Sequence, residues 1–204
     1  MSEFNTEWIR QYIPERDMYT IFDIGAHDFR DSINFSNTDP KYKVYGIEAD
    51  VKNFERHSNH AISNGVITVN CAFSDRDGDG LFFSSEQLGG NEWTPSGSIL
   101  EPTELLKERI SFSDGTTVKM KRFDTFCQEM GISKVDVVHM DVQGAEHLVL
   151  KGFGEHRPTL IFCETCEYPN YKGSEDLKYL LDLLSDMGYQ VEKTLHYDTL
   201  FLLK

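Results

Sequence analysis

The sequence is short of basic side chains: 20 Lys and Arg stand against 34 Asp and Glu in 204 residues, a formal net charge of −14. Nucleic-acid binders concentrate Lys and Arg to neutralise phosphates, so no nucleic-acid partner is expected. The acid surplus suits a neutral or cationic ligand, although solubility alone accounts for it. Cysteine is scarce as well, and four in a chain of this length are too few for a disulfide scaffold. Long apolar runs are missing, none approaching the roughly 18 residues of a membrane span. The opening Met-Ser-Glu-Phe-Asn-Thr-Glu-Trp has neither the basic start nor the apolar core of a secretory signal. Together these absences predict a cytoplasmic protein with no membrane partner. The length fits a single domain over residues 1–204.

What is present is an alternation of strand-like and helix-like segments. Residues 1–18 hold a short helix with Trp8, Ile9, Tyr12 and Ile13 on one face, ended by Pro14. Residues 19–28, Tyr-Thr-Ile-Phe-Asp-Ile-Gly-Ala-His-Asp, begin as a buried strand and break into polar residues at an acid, a spacer and a glycine. That is the pattern of a central strand stopping at a binding crevice. Gly25 leaves room for a ligand against the backbone, and Asp23 puts a carboxylate at the mouth of the sheet. A helix over 28–37, a strand over 43–49 ending near Glu48, a helix over 51–64 stopped by Gly65 and a strand over 66–71 follow. This succession predicts a parallel sheet with right-handed crossovers.

Residues 84–117 break the rhythm with Gly89, Gly90, Pro95, Gly97, Pro102 and Gly115, and are predicted to be a lid or substrate loop, with one helical patch over 101–109. A strand over 118–122 and a helix capped by Asp124 come next. A core strand over 135–141, a helix over 144–151 and a strand over 159–163 continue the alternation. Ser174 is placed to cap an amphipathic helix through Leu177, Leu180, Leu181 and Leu184. The link 194–198 is too short for a crossover, so strands over 189–193 and 199–203 pair antiparallel.

Asp23 and Gly25, followed by Glu48, have the spacing of a strand-one turn and a ribose-binding acid about 20 residues on. A dinucleotide brings a pyrophosphate that needs several glycines and bare amides. Only Gly25 is available, and Asp28 and Asp31 sit where the diphosphate would lie. Carboxylates beside phosphates repel, by roughly a kcal/mol or more per close pair. S-adenosylmethionine carries no phosphate, bears a sulfonium and an ammonium group, and still offers two ribose hydroxyls. It fits the acids better.

Three motifs carry a resemblance: Asp23-Ile24-Gly25-Ala26-His27-Asp28, Gly46-Ile47-Glu48-Ala49-Asp50 and His139-Met140-Asp141-Val142-Gln143-Gly144-Ala145-Glu146. With Ala72-Phe73-Ser74-Asp75, Gly97-Ser98, Arg122-Phe123-Asp124 and Leu150-Lys151-Gly152 in order, residues 19–165 resemble the FkbM-type S-adenosylmethionine-dependent methyltransferases. The resemblance implies a class I fold: a Rossmann-like, doubly wound, mostly parallel seven-stranded α/β sheet with an antiparallel C-terminal strand pair. It also implies O-methylation of a small-molecule or sugar hydroxyl. Cofactor contacts are implied at Asp23, Gly25, Ala26, His27 and Asp28, with the methionine part against Asp23, Gly25 and Ala26. Glu48 would take the ribose, Ala49 and Asp50 would neighbour the adenosine, and Ala72, Phe73 and Ser74 would line the adenine. Asp141 would sit beside the reacting centre. The chain departs from the family pattern at His139, where Lys is usual, at Gln143, where Glu is usual, and at Phe29, where glycine is usual. Alternatives are a silent S-adenosylmethionine-binding protein and, on the dinucleotide spacing, a nicotinamide-dependent oxidoreductase.

Period-two alternation puts Val135, Val137, His139 and Asp141 on one strand face, so His139 and Asp141 meet the crevice together. An alcohol acceptor must lose a proton, and His139 or Asp141 is a candidate general base, against plain roles as core histidine and turn cap. Glu164, after a core strand, is the third catalytic candidate. Glu146 in a first helical turn is explained by the helix dipole. Cys163 and Cys166 have metal-like spacing but no second pair. His57 and His60 read as a solvated helix face. Asp141 with Glu164 lacks an identifiable third ligand, so no metal is expected. Trp93 either covers a substrate or pins its loop.

Overall fold

The computed structural model describes residues 3–165 and 170–204. In chain order, α1 (Glu7–Tyr12), β1 (Tyr19–Ile24), α2 (Arg30–Thr38), β2 (Tyr42–Glu48), α3 (Val51–Ser63) and β3 (Ile67–Asn70) come first. The chain then leaves the main sheet for β4 (Ala72–Ser74), β5 (Gly78–Phe82), β6 (Ser85–Leu88), β7 (Asn91–Glu92), α4 (Glu104–Lys107), β8 (Ile110–Phe112) and β9 (Thr116–Arg122). It returns through α5 (Phe123–Glu129), β10 (Val137–Met140), α6 (Glu146–Lys151), β11 (Leu160–Glu164), α7 (Leu177–Asp186), β12 (Tyr189–Thr194) and β13 (Asp198–Leu203).

The central sheet has seven strands in the order β12-β13-β11-β10-β1-β2-β3. Every pairing is parallel except those of β13, which runs antiparallel to both β11 and β12. The order reverses between β1 and β10, the switch point at which open α/β sheets form their ligand crevice. The predicted fold class is the observed one.

β1 is apolar on both faces because helices cover both. Ile21 joins a core with Trp8 and Ile9 of α1, Phe35 of α2 and Ala61 of α3. Phe22 and Ile24 join the opposite core with Phe123 of α5, Val149 and Leu150 of α6 and Leu184 of α7. The Phe22 ring stacks on Tyr45 at 4.8 Å and meets Phe123 edge-on at 5.0 Å. The N-terminal helix is therefore part of the core, its Trp8 packing 5.7 Å from Phe162 of β11.

Several boundaries move. Residues 84–117 are structured: β6 pairs with β7 and β8 in a small sheet, while β4 and β5 flank β9 in another. Asp124 does not cap α5; Arg122 holds that position and chelates Asp124 instead, at 2.9 and 2.7 Å. Asp176, not Ser174, caps α7, accepting from the Tyr179 N–H at 2.8 Å. β10 is shorter than predicted, so Val135 and Asp141 fall outside it. Val135 packs in the core opposite to Val137. Among the described residues no helix is long and apolar enough to cross a membrane.

Candidate active site

Strand register makes the first contact. Parallel pairing sets Asp23 opposite His139 on one side and Gly46 on the other. Asp23 and His139 thus share a face, and His139 Nδ1 lies 2.7 Å from Asp23 Oδ1, both buried. The Ser32 hydroxyl of α2 donates to Asp23 Oδ2. Burial opposes the imidazolium, but the hydrogen bond and charge of Asp23, with Asp31 and Asp141 behind it, outweigh burial and raise His139 to about 9. The pair at neutral pH is an imidazolium on a carboxylate.

Gly46 is required by the same arrangement. A Cβ there would sit 2.7 Å from the Phe29 ring and 2.8 Å from Ser32 Oγ. Phe29, fully buried, starts α2 from a left-handed backbone with φ 62°. The other non-glycine residues with positive φ among those described are His27 at 48° and Gln143 at 54°. Such backbone costs about 1–3 kcal/mol each and persists where the surrounding structure holds it. Gly25 has φ +85°, and a Cβ on it would lie 1.9 Å from the Asp141 carbonyl oxygen. The close approach that demands glycine is thus to the turn after β10, before any ligand is considered.

At the end of β2, Glu48 accepts the His27 N–H on Oε2 at 2.6 Å and the Asp50 N–H on Oε1 at 2.7 Å. Burial still pushes its carboxyl up to about 8. His27 turns its ring to the 84–117 excursion, with Nε2 2.7 Å from Thr94 Oγ1. Burial lowers the His27 pKa.

Two clefts open here. The first is floored by Gly25, Glu48 and Ala49 and walled by Ala72, Phe73, Phe82, Thr94, Gly97 and Ile99. The second is lined by Asp23, Ala26, Asp28, Asp31, His139, Glu164, Tyr197 and Asp198, with Arg30 paired to Asp28 at 2.9 Å. Gly25, His27, Pro95 and Asp141 line both. Predicted cofactor residues therefore divide: Glu48, Ala49, Ala72 and Phe73 face the first cleft, Asp23, Ala26 and Asp28 the second. Two of the predicted residues lie off both clefts. Ser74 is fully buried, its hydroxyl bonded to Asp75, and lines neither cleft. Asp50 turns away to cap α3, accepting the Lys52 N–H at 2.8 Å.

Beyond β10 the turn carries the remaining chemistry. Gln143 Nε2 donates to Asp141 Oδ1 at 2.6 Å and to Glu164 Oε2 at 3.1 Å. Tyr171 donates its hydroxyl to the Ser96 carbonyl at 2.7 Å and lies 3.4 Å from Gln143 Oε1, joining this turn to the excursion. Burial raises the Asp141 carboxyl, against the Gln143 bond and the charge of His139. Burial also raises Glu164, helped by Asp141, Glu146 and its cross-strand partner Asp198. Glu146 is buried and accepts the Val142 and Gly144 N–H groups at 3.2 and 3.3 Å, so it braces the turn. Burial holds it at about 7.

Ser32, Gln143 and Asn53, which lines the first cleft, were not selected from sequence. Of these, Gln143 stood out in the sequence only as a departure from the family pattern. Trp93 pins its own loop, its Nε1–H donating to Ser96 Oγ at 2.9 Å. Cys163 is buried, and Cys166 lies outside the described residues. His57 is half-buried, its ring 6.5 Å from that of His27, whereas His60 is exposed. No three His, Cys, Asp or Glu side chains among the described residues converge to hold a metal.

The first cleft fits an adenosine. Glu48 keeps acceptor lone pairs beside an apolar slot, and no described Lys or Arg lines it to neutralise a diphosphate. The adjoining acid-lined cleft suits a sulfonium and an ammonium group.

A family model described as the methyltransferase FkbM domain matches residues 23–191. The 2-O-methyltransferase NoeI of Sinorhizobium fredii is 34% identical over 170 residues, covering 80% of this chain and 70% of that protein. Aeropyrum pernix fibrillarin, solved with bound S-adenosyl-L-methionine, superposes with a TM-score of 0.55 at 11% identity, over 96% of this chain and 72% of that one. Precorrin-6y C5,15-methyltransferase from Geobacter metallireducens gives 0.52 at 12% identity, over 96% and 84%. At such identities the structural likeness shows the fold alone.

Proposed function

The chain belongs to the FkbM methyltransferase family and is an S-adenosylmethionine-dependent methyltransferase, and we propose that its acceptor is a hydroxyl oxygen of a small molecule or sugar held in the acid-lined cleft. The name of the relative NoeI, a 2-O-methyltransferase, supports oxygen as the methylated atom. The net charge of −14 argues against a polyanionic acceptor.

One observation carries the catalytic assignment: of the four residues that line both clefts, Asp141 is the carboxylate. The cofactor supplies a methyl group on a sulfonium cation. The protein's task is to align acceptor and donor and to receive the acceptor's proton. Asp141 takes that proton. Gln143 holds the Asp141 carboxylate in place and ties it to Glu164, whose own carboxyl is raised by burial and by the charge of Asp141. His139, as an imidazolium, has no lone pair with which to act as a base. Its role is to neutralise Asp23 and shape the field at the crevice. Glu48 accepts the ribose hydroxyls.

Asp141→Asn preserves the Gln143 contact in size but removes the proton acceptor. A fall in kcat of about 10²–10⁴ is expected, with S-adenosylhomocysteine affinity by calorimetry changed only a few-fold. Undiminished kcat would remove Asp141 as the base. An acceptor screen with methyl-labelled cofactor tests the hydroxyl assignment. Labelling confined to RNA would replace it.

A further inference from the structure

Asn53 is a buried polar side chain that the reaction as described does not use. It is the third residue of α3 and only 3% exposed. Its backbone N–H is held by the capping Asp50 at 3.4 Å. Its carboxamide makes no hydrogen bond to any described residue. Its amide atoms are not among the buried unpartnered polar atoms of the described residues, so they open onto the cleft, where a ligand can reach them. The side chain lines the first cleft, beside Glu48, Ala49, Phe82 and Thr94. It is not among the residues of the acid-lined cleft.

We propose that Asn53 is a cofactor-reading residue whose carboxamide hydrogen-bonds the adenosine half of S-adenosylmethionine. This rests on the methyltransferase reading of the first cleft. The position selects the nucleoside rather than the amino-acid half, since Asn53 shares its wall with Glu48 and the apolar slot, away from Asp23, Asp28 and His139. The chemistry agrees. A carboxamide presents a donor and an acceptor side by side without charge, the complement of an adenine edge or a ribose hydroxyl. Thr94 lines the same cleft and is itself anchored to His27. The excursion therefore closes the cleft over the same part of the ligand.

The test uses Asn53→Ala and Asn53→Ser in the full chain, read by calorimetry and by thermal melting without ligand. A purely structural amide would lower Tm when removed. An amide reserved for ligand leaves Tm unchanged or raised, because no internal bond is lost. Dissociation constants for S-adenosylhomocysteine and for adenosine alone are expected to rise about tenfold or more in Asn53→Ala, and methionine binding to stay unchanged. Both variants binding S-adenosylhomocysteine like the wild type would overturn the inference, whatever their Tm. A wild-type protein that binds no S-adenosylhomocysteine would instead overturn the reading of the cleft itself.

Discussion

Glu48 carries two opposed demands. It receives two backbone N–H groups, yet burial leaves it with a carboxyl at about 8. Bonded hydroxyls of a ribose would add donors to the same oxygens and favour its charged form. Glu48→Ala removes a charge-assisted acceptor and strands the His27 and Asp50 amides. The expected loss in S-adenosylhomocysteine affinity is about 10–100-fold by calorimetry. Equal affinity would show that the ribose lies elsewhere. The acid at the end of β2 was visible in sequence because strand periodicity and a following polar residue are local features. The His139–Asp23 pair was not, since it depends on which residue of β10 stands opposite Asp23.

At the scale of elements, α2 is fitted to the sheet through one missing side chain. Phe29 lies over Gly46, and Ser32 one turn on reaches Asp23. The Phe29 ring uses this space, and its full burial offsets the left-handed backbone there. Gly46→Ala would drive a methyl group into the ring and the Ser32 hydroxyl. A stability loss of about 1–3 kcal/mol is expected by chemical denaturation. The His139 pKa, followed by NMR titration, should change as the support of Asp23 is disturbed. A variant with native stability would show that α2 shifts freely, contrary to this packing. The excursion over 84–117 was legible as an interruption, from its glycines and prolines. Its folding into β6, β7 and β8, and the placing of Thr94, Gly97 and Ile99 on the first cleft, came from pairings between segments with no strong local pattern of their own.

Across the whole molecule, buried carboxylates dominate the response to pH. Glu48 and Glu146, held at about 8 and about 7 against an ordinary 4.5, keep protons in the folded state that the unfolded chain has released. Their effect is to lower stability as pH rises from about 4.5 to 8. His139, at about 9 against 6.5, contributes stability that is complete below 6.5 and is lost as pH rises through 9. Asp124, lowered by its bond to Arg122, acts the other way, losing its contribution only as pH falls below the ordinary 3.8. The ligand-free protein should therefore melt highest near about pH 5 and progressively lower toward pH 9, as read by calorimetry. A maximum at pH 8 or above would contradict the burial of these acids.

The sequence by itself determined the order of helices and strands, the acids Asp23 and Glu48 at the strand ends and the membership of a methyltransferase family. All of these are written in short local patterns of apolar spacing and motif. Tertiary structure alone decided that His139 sits on Asp23, that Gln143 spans Asp141 and Glu164, that Ser74 turns away from the cleft and that Asn53 faces it. Each of those depends on register, on a helix's rotation or on the path of a turn. Such choices are set by packing between residues far apart in the chain, and one face of a strand or helix gives no local sign of which neighbour it will meet.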